Sequence, residues 1–93
     1  MLKFNASNIE ELQEEVKERA HEVSIAIVTS IILALEQDVD NVEIGSVAGG
    51  GLSIAVKCSD FLKALELNLK RCQEAEEYEL CAKAVDWMAK LSA

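Results

Sequence analysis

Proline is absent from the 93 residues, and aromatic side chains make up only 4% of them. Both shortages favour helices over a sandwich or barrel, because nothing breaks a helix by removing an amide donor and few rings are present to fill a β core. Cationic side chains are also in deficit, nine against seventeen acidic ones, for a net charge of −8. That balance argues against nonspecific DNA or RNA binding, which depends on neutralising phosphates. It is compatible with a well-hydrated surface, or with mimicry, in which a small acidic protein occupies a groove meant for nucleic acid. No uncharged run reaches the roughly 20 residues needed to cross a bilayer. The opening MLKFNASN lacks a secretory apolar core, so a cytoplasmic location is expected. The three cysteines, Cys58, Cys72 and Cys81, show no Cys-x-x-Cys spacing, and His21 is the only histidine. Reduced thiols acting as small hydrophobes are expected, with no metal and no cofactor.

What is present is organised around Val23 to Leu35, thirteen residues without a charge. Large β-branched side chains at alternate positions admit a strand reading. A helix reading continues a pattern begun upstream, with Ile9, Leu12, Val16, Ala20, Val23, Ile27 and Ile31 recurring at helical spacing. No glycine, proline or turn pair separates the halves, so one helix over 8–37 is favoured. Ser7-Asn8-Ile9-Glu10 provides a capping box at its start, and the early glutamates suit the positive end of the helix dipole. The second half of this helix is apolar on most of its circumference and therefore needs cover. In so small a chain the natural cover is a partner subunit, with Val23, Ile27, Ile31, Ile32 and Leu35 at the oligomer interface. His21 falls at the polar–apolar border of the helix, where a subunit contact is a better reading than a pH switch or a catalytic base.

Residues 42–58 read as a β-hairpin. Val42 and Ile44 alternate with Glu43 and Gly45, and Leu52, Ile54, Val56 and Cys58 alternate with Ser53, Ala55 and Lys57. The intervening Gly49-Gly50-Gly51 lacks the lysine and following helix of a phosphate loop, so a turn is favoured, with a ligand- or partner-touching loop as a secondary reading. The acids at Glu36, Asp38, Asp40 and Glu43 lack the pattern of a calcium loop and read as a solvated turn. Two strands alone are marginal in water, and pairing with the same hairpin of a second subunit would give a four-stranded sheet.

Residues 59–91 read as a helical hairpin, with a single kinked helix as the alternative. Leu62, Leu65, Leu69 and Cys72 form one stripe, and Tyr78, Cys81, Val85 and Met88 form a second, out of phase across Gln73–Glu77. The stretch 62–91 resembles the UVR motif of bacterial repair and protease-adaptor proteins. Leu65, Leu69 and Cys72 occupy the apolar positions of that motif's first helix. Tyr78-Glu79, Cys81-Ala82, Asp86, Met88 and Leu91 stand where the family typically shows Phe-Glu, Ala-Ala, Asp, Ile and Leu. Val85 replaces the usual arginine, and Glu76 a leucine common in the turn. The resemblance covers about a third of the chain and implies a hairpin that docks against a partner hairpin.

The expected fold is α+β, a single domain over 1–93 in the order α-β-β-α-α: a long N-terminal helix, a β-hairpin and a C-terminal helical hairpin, as an intertwined homodimer. The expected function is that of a noncatalytic protein–protein interaction module, a small adaptor or regulator. Its size suits a phage or mobile-element protein that acts, as a homo-oligomer, on a host protein. Tyr78, Glu79, Asp86 and Trp87 are the candidate partner-binding residues, Trp87 because tryptophan is enriched at interface hot spots, with packing of the hairpin onto the α-β-β portion as its equal alternative. The alternatives are an acidic inhibitor mimicking nucleic acid and a small-ligand-binding oligomer with its site near Gly49–Gly51. Enzymatic activity is not expected, since no set of residues specifies acid–base groups within reach of one another.

Overall fold

A computed structural model describes residues 2–47 and 53–92. The order of elements is β1 (Leu2–Phe4), α1 (Ile9–Glu18), α2 (Ala20–Glu36), β2 (Asn41–Val47), β3 (Ser53–Lys57), a 3₁₀ turn (Cys58–Asp60), α3 (Phe61–Glu74) and α4 (Tyr78–Ser92). The fold is α+β, with a three-stranded sheet in the order β1-β2-β3 and a C-terminal pair of helices. No helix among the described residues is long and apolar enough to cross a membrane.

The expected helix over 8–37 is present with one interruption, at Arg19, whose φ of −106° and ψ of 30° separate α1 from α2. Neither proline nor glycine causes the break, and the backbone amide of Arg19 still donates to the Glu15 carbonyl. The side chain accounts for it. The Arg19 guanidinium donates to the Lys3 carbonyl at 2.8 Å, to Glu15, and in a fork to both oxygens of Glu22, and it lies 5.0 Å from the centre of the Phe4 ring. Five contacts with four residues on three elements fix this residue between β1 and the two helices. The cap of α1 lies one residue beyond the expected box. Asn8 accepts from the Glu11 amide, and the Glu11 carboxylate reaches back to the amide and hydroxyl of Ser7.

β1 was not expected, and it makes the N-terminal half a β-α-β unit. It runs parallel to β2, with Leu2, Lys3 and Phe4 beside Gly45, Ser46 and Val47, and α1–α2 form the crossover that a parallel pair requires. Gly45 permits this approach, since a Cβ there would lie 2.8 Å from the Leu2 carbonyl oxygen. β2 and β3 form the expected hairpin, with a bulge between Glu43 and Gly45 that leaves Ile44 without a partner on β3 and buries it. Cys58 leaves the strand for the 3₁₀ turn.

α2 touches β2, α3 and α4, which explains its nearly all-round apolar surface. Val28, Ile31, Ile32 and Ala34 form the core with Phe61, Leu65, Cys72, Cys81 and Ala84, while Val42 and Val56 of the sheet pack against them. Its cover therefore comes largely from this chain. One polar pair crosses the core: the buried Ser24 hydroxyl donates to Asn68 Oδ1 at 2.9 Å, and Asn68 Nδ2 donates to the Ala64 carbonyl. α2 and α3 both end in a left-handed residue, Asp38 with φ 56° and Glu76 with φ 60°. The amides two residues past each cap, those of Val39 and Glu77, then donate to the carbonyls of Ala34 and Cys72.

Candidate functional site

The turn at Glu76 sets α4 against α3 and α2 with one face inward. Cys81 and Ala84 are buried, with Leu80, Trp87 and Met88 partly buried against the same core. The stripe read from the sequence as Tyr78, Cys81, Val85 and Met88 is therefore divided. Cys81 and Met88 point in, whereas Tyr78 is 65% exposed and Val85 is 50% exposed. Tyr78 and Val85 align instead with Ala82 and Ala89, both exposed, at spacings of four, three and four residues. Such spacing keeps one face of a helix in line along its length. This second apolar stripe, flanked by Glu79, Lys83, Asp86 and Lys90, is the candidate site. Its two alanines let another backbone come close, and its tyrosine and valine supply area to bury. Ala82 stood out in the sequence only as the neighbour of Cys81 and Ala89 did not stand out at all, although their spacing from Val85 carries the pattern.

Three of the four expected partner-binding residues, Tyr78, Glu79 and Asp86, lie in the open. Trp87 instead packs at the edge of the core, with Lys90 Nζ 4.6 Å from the centre of its ring. The five residues expected at an oligomer interface separate likewise. Ile31 and Ile32 are buried in the chain's own core, Ile27 and Leu35 pack against it, and Val23 is partly exposed. Gly49, Gly50 and Gly51, the possible ligand loop, lie outside the described residues.

The groups that could do chemistry are dispersed or occupied. His21 is exposed on α2. Burial, with smaller contributions from Cys81 and Glu77, pushes the Cys72 thiol up to about 11, so it stays protonated at neutral pH and packs as a hydrophobe. Cys81 is also buried, and Cys58 is exposed. Among the described residues no group of three or more histidine, cysteine or acidic side chains could hold a metal ion. Of the α1 glutamates, Glu15 accepts from the Asn5 amide and Arg19, and Glu11 from Ser7, which holds the Glu11 carboxyl below its ordinary range. No protein-family model, curated protein or solved structure matches the chain.

Proposed function

We propose that this chain is a noncatalytic interaction module, a small adaptor or regulator that engages another protein through the outer face of α4. The observation that carries the reading is the second apolar stripe, Tyr78, Ala82, Val85 and Ala89, on a helix whose first stripe already seals the core. A helix serving the fold alone needs one apolar face. The flanking charges, two acidic and two basic, would set orientation rather than supply most of the affinity. The resemblance of 62–91 to the UVR helical hairpin supports the same reading, since that family docks hairpin on hairpin. Free thiols and the acidic surface suit a cytoplasmic setting, and the size suits a phage or mobile-element regulator of a host protein. The nucleic-acid mimic is the weaker reading, because Glu11 and Glu15 are engaged within the chain rather than presented.

A photo-crosslinking residue placed at Ala82 in the tagged protein, expressed in its native cell, tests the proposal. One protein crosslinked from Ala82 but not from Lys63, and lost on Val85→Asp, is the expected result. Crosslinking that is equal at both positions, or unaffected by V85D, would overturn the α4 reading. A partner captured only at low salt through α1 would replace it with the acidic mimic.

A further inference from the structure

Away from α4, two uncovered surfaces flank the open edge of the sheet. Among the described residues β3 has a neighbour on one side only, β2. On one flank lies a groove of about 650 Å³, lined by Leu12 and Val16 of α1 and Ile54 of β3 and bordered by Glu10, Glu14 and Lys17. α1 buries none of its residues, and Ile9 at its start is 66% exposed, so its apolar face is largely without cover. On the other flank, Ala55 and Val56 of β3, Asp60 of the 3₁₀ turn and Lys63, Ala64 and Leu67 of α3 line a shallow depression. Leu67 stands above it, 66% exposed, with Lys63, Lys70 and Arg71 four, three and four residues away on the same face.

These two flanks are complementary. α1 carries five glutamates against one lysine, whereas α3 is, among the described residues, the one helix with more cationic than anionic side chains. The order of sign is also reversed: Glu10, Glu14 and Lys17 run acid, acid, base along α1, and Lys63, Lys70 and Glu74 run base, base, acid along α3. A chain of net charge −8 repels its own copies except where such opposite patches meet.

We infer that the occupant of the α1 groove is Leu67 of a second copy of this chain, in a twofold dimer formed across β3. The placement of the flanks supports this. The groove adjoins Ile54 and the Leu67 ridge adjoins Ala55 and Val56, so an antiparallel β3–β3 contact centred on Ala55 sets each groove against the other copy's ridge. Pairing the two edges would join two three-stranded sheets into six strands and satisfy the open backbone groups of β3. The contact is self-complementary and closes at two subunits.

Sedimentation equilibrium at physiological salt, with hydrogen exchange at low and high protein concentration, tests the inference. The wild-type chain should approach twice its 10.2 kDa mass as concentration rises, with Ser53–Lys57 amides gaining protection in step. Two variants confined to exposed residues carry the decisive comparison: Glu10→Lys with Glu14→Lys reverses the groove, and Lys70→Glu with Arg71→Glu reverses the ridge. Each alone should weaken dimerisation roughly tenfold or more, because like charges then face each other. Mixed together they should recover the wild-type affinity as a heterodimer, since both contacts are again of opposite sign. Circular dichroism confirms that each variant is folded. A monomer at millimolar concentration would overturn the inference. So would a dimer indifferent to both reversals, or one that leaves β3 amides unprotected.

Discussion

Replacing Ser24 by alanine removes the donor to Asn68 Oδ1 and leaves that oxygen without a protein partner where α2 meets α3. Ser24 is 1% exposed and Asn68 9%, so water does not readily substitute. Stranding a buried acceptor costs about 1–3 kcal/mol, a large fraction of the 5–14 kcal/mol or so expected for a domain of this length. The midpoint of thermal unfolding should fall by roughly 4–8 °C for each kcal/mol lost. Asn68→Leu is the informative partner, since it keeps the volume and removes the acceptor. The Ser24 hydroxyl can then turn to a carbonyl one turn back on its own helix, so the single change should cost less than Ser24→Ala. With both changes no polar atom is stranded, and the double variant should recover most of the loss, giving a coupling of about 1–2 kcal/mol. Urea unfolding followed by helical circular dichroism and by Trp87 fluorescence measures all four corners of the cycle. A Ser24→Ala protein within about 0.5 kcal/mol of wild type, or strictly additive single changes, would refute the assignment of this bond as a buried tie between α2 and α3.

Gly45→Ala should destabilise the protein by about 1–3 kcal/mol and shift the amide resonances of β1, because the new methyl meets the Leu2 backbone rather than a side chain that can swing away. Glu76→Gly should act in the opposite direction, raising stability by about 0.5–1 kcal/mol in chemical denaturation, since φ 60° is strained for any residue with a Cβ. Glu11 and Glu22 are held below the ordinary carboxylate value of 4.5, Glu11 by the Ser7 amide and then its hydroxyl, Glu22 chiefly by hydrogen bonding to Arg19. Groups lowered in the folded state stabilise above their unfolded value and lose that contribution as pH falls through the folded one. Amide protection in β1 and α1, relative to the intrinsic exchange rate at each pH, should therefore fall below about pH 4.5 before protection in α3 does; simultaneous loss would argue against a local role for these carboxylates. A thiol reagent at pH 8 should modify Cys58 rapidly and Cys72 and Cys81 only after denaturation. Because the Cys72 thiol is raised on folding, its contribution should fade as pH rises from about 9 towards 11, and Cys72→Ala should flatten that decline.

The helices and the hairpin were legible because each is specified locally. Residues 8–37 and 59–91 carry helical spacing, and Val42, Ile54 and Val56 carry the two-residue alternation of a half-buried strand. β1 was not legible. Three residues are too few for a period to show, and Leu2–Phe4 become a strand by pairing with Gly45–Val47, some forty positions away. The break at Arg19 is hidden for the same reason, since the carbonyl and ring that draw its side chain belong to β1. Within the candidate site, the sequence marks Tyr78 and Val85 as apolar helix positions but does not say which side of α4 meets α2 and α3. Two stripes compete for the inward direction, and packing against α2 and α3 selects Cys81, Ala84 and Met88.

By itself the sequence determined the class of the fold, the position of its most apolar helix and the helical pair at its end, because periodicity and turn chemistry act over a few residues. Only the tertiary structure decided what covers Val23–Leu35. The sequence reading called for a second subunit, whereas β2, α3 and α4 of the same chain supply most of the cover. Apolar surface remains at Leu33 and Val39, on α1, at Leu67 and along the outer stripe of α4. Hydrophobicity fixes how much surface must leave water, while the directions in which the elements meet fix which surface remains.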